Sequence, residues 1–186
     1  SSSTTGGGSM VLLETQTASS SSTVSFTSGI DSTYDEYVFK FYDIHPSTEA
    51  YYLAFQGNAS GGSGYNETIT STFFYTHHAE NDSGTPFVSY DADGDQAQGT
   101  GFQQISVSIG TDNDQNGAGE LRLFKPSSTT FVKHWIAKVN TAYHGDGATT
   151  TYTSGYFNTT SAIDEIQFKM TSGNIDSGVI KLYGIK

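Results

Sequence analysis

The side chains best equipped for chemistry in this chain are carboxylates, and they gather in two glycine-containing turns. The run Asp112-Asn113-Asp114-Gln115-Asn116-Gly117-Ala118-Gly119-Glu120 has oxygen donors at its first, third, fifth and ninth positions and Gly at its sixth. That is how a calcium loop opens, because Ca2+ takes several hard oxygens converging on one point around a sharp glycine turn. Asp112, Asp114, Asn116 and Glu120 are therefore candidate Ca2+ ligands. The match stops at the twelfth position, where a bidentate Glu belongs and Leu123 stands. A solvated acidic turn between two strands is the competing reading. The second turn, Asp91-Ala92-Asp93-Gly94-Asp95, also alternates carboxylates, but its sixth residue is Gln96. Asp91, Asp93 and Asp95 repel one another unless a cation or water screens them, so metal and plain turn both stay open there.

Other constellations carry less. His77 and His78 are adjacent on a stretch that reads as strand, so they point to opposite faces. His134 lies in a predicted strand from Phe131 to Val139 and is expected to be a satisfied, partly buried side chain. His144 sits in the turn before Gly145-Asp146-Gly147. No Gly-x-Ser-x-Gly elbow occurs, and no glycine-rich phosphate loop leads into a helix. Nearly all acids fall in turns, with Glu36, Glu49 and Glu165 as the strand-associated exceptions. No catalytic role is expected.

Aromatic residues offer a second kind of site. Tyr52, Phe74 and Trp135 are candidates for an exposed contact surface, together with neighbours such as Tyr51, Phe73, Tyr75 and Tyr152. The alternative is that the aromatics fill the core, since they bury large areas. Adjacent aromatics on one strand face opposite ways, so one member of Phe73-Phe74 and of Tyr51-Tyr52 must lie outside the core. Sequons begin at Asn58, Asn66, Asn81 and Asn158, a number that abundant Ser and Thr make unremarkable.

These residues need a scaffold, and the composition points to strands. Only 34% of the 186 residues are hydrophobic, so 12 Tyr, 12 Phe and 1 Trp must supply much of the buried bulk. Such residues suit a pleated, half-buried surface. Apolar and polar residues alternate at Val24/Phe26, Tyr51/Leu53/Phe55, Ile105/Val107/Ile109, Leu121/Leu123, Ile166/Phe168/Met170 and Ile180/Leu182, which is the period-2 strand signal. Turn clusters separate them at 57–64, 82–86, 91–101, 110–119, 145–147 and 171–178. Ten to twelve short strands with this spacing predict an all-β, jelly-roll-like antiparallel β-sandwich.

Charge and composition exclude several partners. Eight Lys plus Arg against 19 Asp plus Glu give a net charge of −11. Nucleic acids are bound largely by cations that displace counterions, so nucleic acid and anionic membrane are poor partners. No run approaches the roughly 18 apolar residues of a membrane-spanning helix. The chain has no Cys, which removes disulfides and thiolate metal sites. Residues 1–9, rich in Ser and Gly, read as a flexible tether ahead of one sandwich domain over 10–186.

Two stretches carry a family likeness. Ser25-Phe26-Thr27-Ser28-Gly29-Ile30-Asp31-Ser32-Thr33-Tyr34-Asp35-Glu36-Tyr37, continuing through Val38-Phe39-Lys40-Phe41, resembles the start of β-rich virion proteins of marine tailed bacteriophages. The close, Tyr156 to Ile163 and Gly173 to Gly184, is similar to the C-terminal strands of that group, as is Gly119 to Lys133 with its Phe-Lys-Pro-Ser-Ser turn. The resemblance implies a virion-surface setting as a head decoration, fibre or appendage protein, often a homotrimer that also contacts other virion proteins. It carries over no catalytic residues. A Ca2+-dependent carbohydrate-binding module and a receptor-binding tail domain contacting surface glycans remain the alternatives.

Overall fold

The computed structural model of the chain describes residues 9–186, so the tether expected over 1–9 lies, apart from Ser9, outside the described residues. Among them there is no helix. Thirteen strands follow in order: β1 (Val11–Ser21), β2 (Val24–Phe26), β3 (Glu36–Pro46), β4 (Leu53–Ala59), β5 (Ile69–Ala79), β6 (Phe87–Tyr90), β7 (Ala97–Gly99), β8 (Gln103–Gln104), β9 (Gly117–Phe124), β10 (Lys133–Tyr143), β11 (Gly147–Phe157), β12 (Ile163–Met170) and β13 (Ile175–Ile185). They form two antiparallel sheets packed as a sandwich. The larger has nine strands in the order β1-β13-β3-β9-β10-β11-β5-β6, with β7 also on β5, and the smaller runs β2-β12-β4-β8.

The strands are longer than the turn signals suggest, and six of them reach 11 residues. Part of the difference comes from glycines that mark something other than a turn. Gly57 lies inside β4 beneath Phe157, where a Cβ would stand 2.8 Å from the Phe157 ring. Gly178 sits at an irregularity of the β13–β3 ladder with φ of 131°, a conformation that favours glycine. A second difference concerns Ile105, Val107 and Ile109. They alternate as a strand would, yet past β8 the segment joins no ladder and makes only isolated bridges from Ile109 to Tyr51 and Tyr143. Ser106 and Ser108 between them are buried as well, because the segment runs through the interior and is covered on both sides.

Alternation fixes the core. On β12, Ile166, Phe168 and Met170 turn inward, as do Val24 and Phe26 on β2. Phe26, Phe39 and Phe168 meet edge to face with centroids 5.2–6.2 Å apart, and Phe55 sets its ring against Trp135 at 4.9 Å and Phe157 at 5.9 Å. Edge-to-face contacts of this kind place the positive ring edge on a negative face.

On β10 the phase differs from the expectation. Trp135, Ala137 and Val139 face the core, which leaves Ile136 51% exposed and His134 exposed against Tyr156. The partly buried role expected of His134 is thus corrected. The inward parity instead takes Lys133, whose ammonium donates to the carbonyls of Phe131 (2.6 Å) and Thr159 (3.1 Å). Burial pushes its pKa down.

Candidate functional site

The two sheets are unequal, and that inequality builds the site. Aromatic contacts from β2, β12 and β4 cover the inner face of the large sheet across β3, β10 and the Phe157 end of β11. Beyond that line, the inner face of β11 and β5 meets only the two-residue edge strand β8 of the small sheet and the segment that follows it. Thr149, Thr151, Thr153 and Ser71 are buried there, roofed by β8 and residues 105–109. Hydrogen bonds tie the roof to the sheet at two places. The Val107 N–H donates to Thr151 Oγ1 (3.0 Å), and Ser71 Oγ donates to Gln103 Oε1 (2.6 Å). Gln103 Nε2 donates to the Gly94 carbonyl (2.8 Å).

The roof stops short of the end of β5, and a cleft of about 310 Å³ opens there. On β5 the inward series Ile69, Ser71, Phe73 continues to Tyr75 and His77, which are half-buried. Together with Tyr52, Phe87, Asp91, Val107, Ser108 and Tyr143 they form its walls. Phe87 lies directly across the ladder from His77. Tyr75 and Phe87 meet at 5.8 Å and 74°, and His77 stands between Phe87 (5.4 Å) and Tyr143 (5.1 Å). His77 Nδ1 is bonded to Thr149 Oγ1 at 3.1 Å, and Ser108 Oγ to His144 Nδ1 at 2.8 Å. The backbone of Tyr52 is pinned by two bonds with Thr171.

Asp91 enters the cleft from the acidic turn. Its N–H donates to the Phe73 carbonyl (3.0 Å), and its Oδ1 accepts the Asp93 N–H (3.0 Å). Gly94 packs the turn onto the core, since a Cβ there would stand 2.7 Å from the Phe73 ring. Burial, then the negative charge of Asp91 and the neighbouring Tyr143 and Tyr52, raise the Tyr75 pKa. Its hydroxyl therefore keeps its proton.

The candidate calcium ligands make separate contacts. Asp95 accepts a hydrogen bond from the Tyr90 hydroxyl, Asp93 is exposed, and Asp91 faces the cleft. In the other loop Asp112 and Asp114 are exposed, Asn116 Nδ2 donates to Asp43 Oδ1 (3.1 Å), and Glu120 receives Arg122 Nε (2.7 Å). The residue that anchors this loop is Gln115, buried and bonded to the Asp112 N–H, the Tyr143 carbonyl and Asp146. Among the described residues no three His, Asp or Glu side chains gather into a metal-holding group.

The aromatic candidates fall in three different places. Tyr52 lines the cleft. Phe74, 40% exposed, lies on the outer face of the large sheet, stacked on Tyr152 at 5.1 Å and 11° with Lys138 over the Tyr152 ring. Trp135 does not belong to a contact surface, because it is fully buried in the core. The sequence reading missed Tyr143, Phe87 and Lys133. The signal for Tyr75 and His77 was present, as both share the parity of Phe73, and polar-tipped residues on a core parity mark where a core ends. Further apolar surface lies at the edges of the large sheet, with Val11 and Leu12 on β1 and Phe87, Val88 and Tyr90 on β6. A shallow groove bounded by Phe124, His134, Ile136 and Tyr156 crosses its outer face.

No family model, curated protein or solved structure matches the chain.

Proposed function

We propose that the chain is a non-enzymatic surface component of a tailed-phage virion, a head decoration or fibre protein that works through contacts with other copies and other virion proteins. The observation that carries this reading is the apolar surface left uncovered at both edges of the nine-stranded sheet. Val88 is 69% exposed, and Val11, Leu12, Phe87 and Tyr90 are exposed too. Open edges with unpaired N–H and C=O groups are usually blunted by Lys, Pro or tight bulges. The 11-residue edge strand β1 contains no Lys and no Pro, and its single charge is Glu14. Such an edge suits burial in an assembly, and the family resemblance makes a homotrimer the expected form.

The strand order also supports a jelly roll. The pairs β1–β13, β2–β12, β3–β9 and β4–β8 nest one inside the next along the sequence, as when one long hairpin is rolled up, with β5–β7 and β10–β11 as additions. Jelly rolls serve in capsids and in lectins alike.

Counting copies of the Leu123–Lys133 peptide by mass spectrometry of purified particles tests the proposal. Hundreds per particle mean decoration and a handful mean a fibre, whereas absence from particles combined with a monodisperse monomer defeats it. A second reading, recognition of surface glycans, is favoured by the outward stack of Phe74 on Tyr152. A glycan screen run with and without chelator decides whether such binding exists and whether Ca2+ takes part.

A further inference from the structure

We infer that the cleft between β5, β6 and Tyr143 binds an organic cation with a methylated ammonium head. Its walls are aromatic: Tyr52, Tyr75, Phe87 and Tyr143 all face it. The rings are crossed, with Tyr75 at 74° to Phe87 and His77 at 73° to Tyr143, so they bound a volume and do not form a flat platform. Each ring face carries the negative part of a quadrupole, and a cation near several such faces is attracted by all of them.

The fixed charge has the same sign. Asp91 spends Oδ1 on the Asp93 N–H, while Oδ2 takes no hydrogen bond among the described residues. No Lys or Arg lines the cleft, and the chain carries a net charge of −11. Anionic ligands are thus disfavoured, and cations are drawn in by the field of the whole protein.

Hydration selects among cations. A bare ammonium or metal ion would need hydrogen-bonding or coordinating partners in place of its water. Two of the polar walls are already engaged, His77 with Thr149 and Ser108 with His144, which leaves Asp91 Oδ2 as the one charged acceptor, too few to replace a full hydration shell. A methylated ammonium holds its water weakly and offers methyl groups to ring faces, which is the ligand an aromatic cage suits. At about 310 Å³ the cleft lies at the small end of ligand sites, which suits a head group. This inference does not rest on the virion reading, although the two share Phe87.

The test is titration of the whole chain with choline, followed by NMR of the ring protons of Tyr75, His77 and Phe87. Saturable shifts with a Kd on the order of 1 mM are expected. The uncharged tert-butyl isostere dimethylbutanol should bind about tenfold more weakly or worse. Phe87→Ala and Asp91→Asn should each weaken choline about tenfold, with melting temperature confirming that both variants fold, while Phe74→Ala on the outer face leaves it unchanged. Sedimentation with phosphatidylcholine vesicles separates a displayed head group from a free solute, and either source supports the site. Equal binding of choline and its isostere, shifts that persist in Phe87→Ala, or displacement from the cleft only by methyl glycosides would overturn the inference.

Discussion

The covered and uncovered halves of the large sheet face the same interior with different chemistry. Where the small sheet lies opposite, the inward side chains are Phe39, Phe41, Leu121, Leu123 and Trp135, and contact is made by crossed rings. Where only short β8 and the 105–109 loop lie opposite, the inward side chains of β11 and β5 turn mainly polar: Thr149, Thr151, Thr153 and Ser71 beside Ile69 and Phe73, and finally Tyr75 and His77. A sheet brings a continuous apolar face, so apolar partners are buried without loss. A loop brings backbone groups that must be hydrogen-bonded if buried, and threonine and glutamine meet that need. The cleft thus sits where the core changes from packing to hydrogen bonding.

Substitutions on either side of that boundary should separate the two regimes. The largest effect is expected in the covered half. Phe55→Ala removes a ring touching Trp135, Phe157 and Phe168 and should cost about 3–5 kcal/mol in chemical denaturation. Under the roof, Thr151→Val leaves the Val107 N–H buried and unpaired, at a cost of about 1–3 kcal/mol. It should also lower the hydrogen-exchange protection of that amide. Equal costs for the two variants would mean that the two halves are held together in the same way.

At the boundary itself, Gly94→Ala drives a methyl group into the Phe73 ring. A cost of about 1–3 kcal/mol is expected, with displaced NMR shifts for Asp91 and Tyr75. Unchanged shifts would mean that the turn does not set the cleft.

Lys133 gives the covered half a pH dependence of its own, because it is a cation on the apolar side. Its folded pKa lies below the ordinary 10.5, so between the two values the unfolded chain holds a proton that the folded chain has released. Stability therefore rises with pH across that window, and the cost of burying the charge is fully present below it. Lys133→Met should flatten this rise while changing neutral-pH stability by about 1 kcal/mol or less. A rise that persists in the variant assigns it to other groups.

The smallest effect on folding is expected at the rim. Val88→Lys lies on the exposed edge strand β6 and should change stability by less than about 0.5 kcal/mol. Analytical ultracentrifugation should nevertheless show weaker self-association if this edge is buried in an assembly.

Much of the fold could be read directly from residue order. The alternation of Ile166, Phe168 and Met170 placed all three in the core, and Phe73-Phe74 divided between the two faces as adjacent strand residues must. β10 was harder, because Trp135-Ile136-Ala137 is apolar at both parities and leaves the phase undecided. His134 consequently lies outside where partial burial was expected, and Lys133 takes the inward parity. Ile105, Val107 and Ile109 show the same limit, for alternation recurs there without a ladder.

The candidate site was legible only in pieces. Tyr52 and Asp91 stood out by type, but they belong to one cleft with each other and with Tyr143, and these three are remote in sequence. Sequence by itself determined the antiparallel β-sandwich and the aromatic character of its core, since period-2 patterning and turn chemistry are local properties of the chain. Tertiary structure decided which parity of each strand faces inward, how far the small sheet covers the large one, and so where the cleft opens. Those outcomes depend on pairings such as β1 with β13, which join the two ends of the chain and leave no periodic trace in either strand alone.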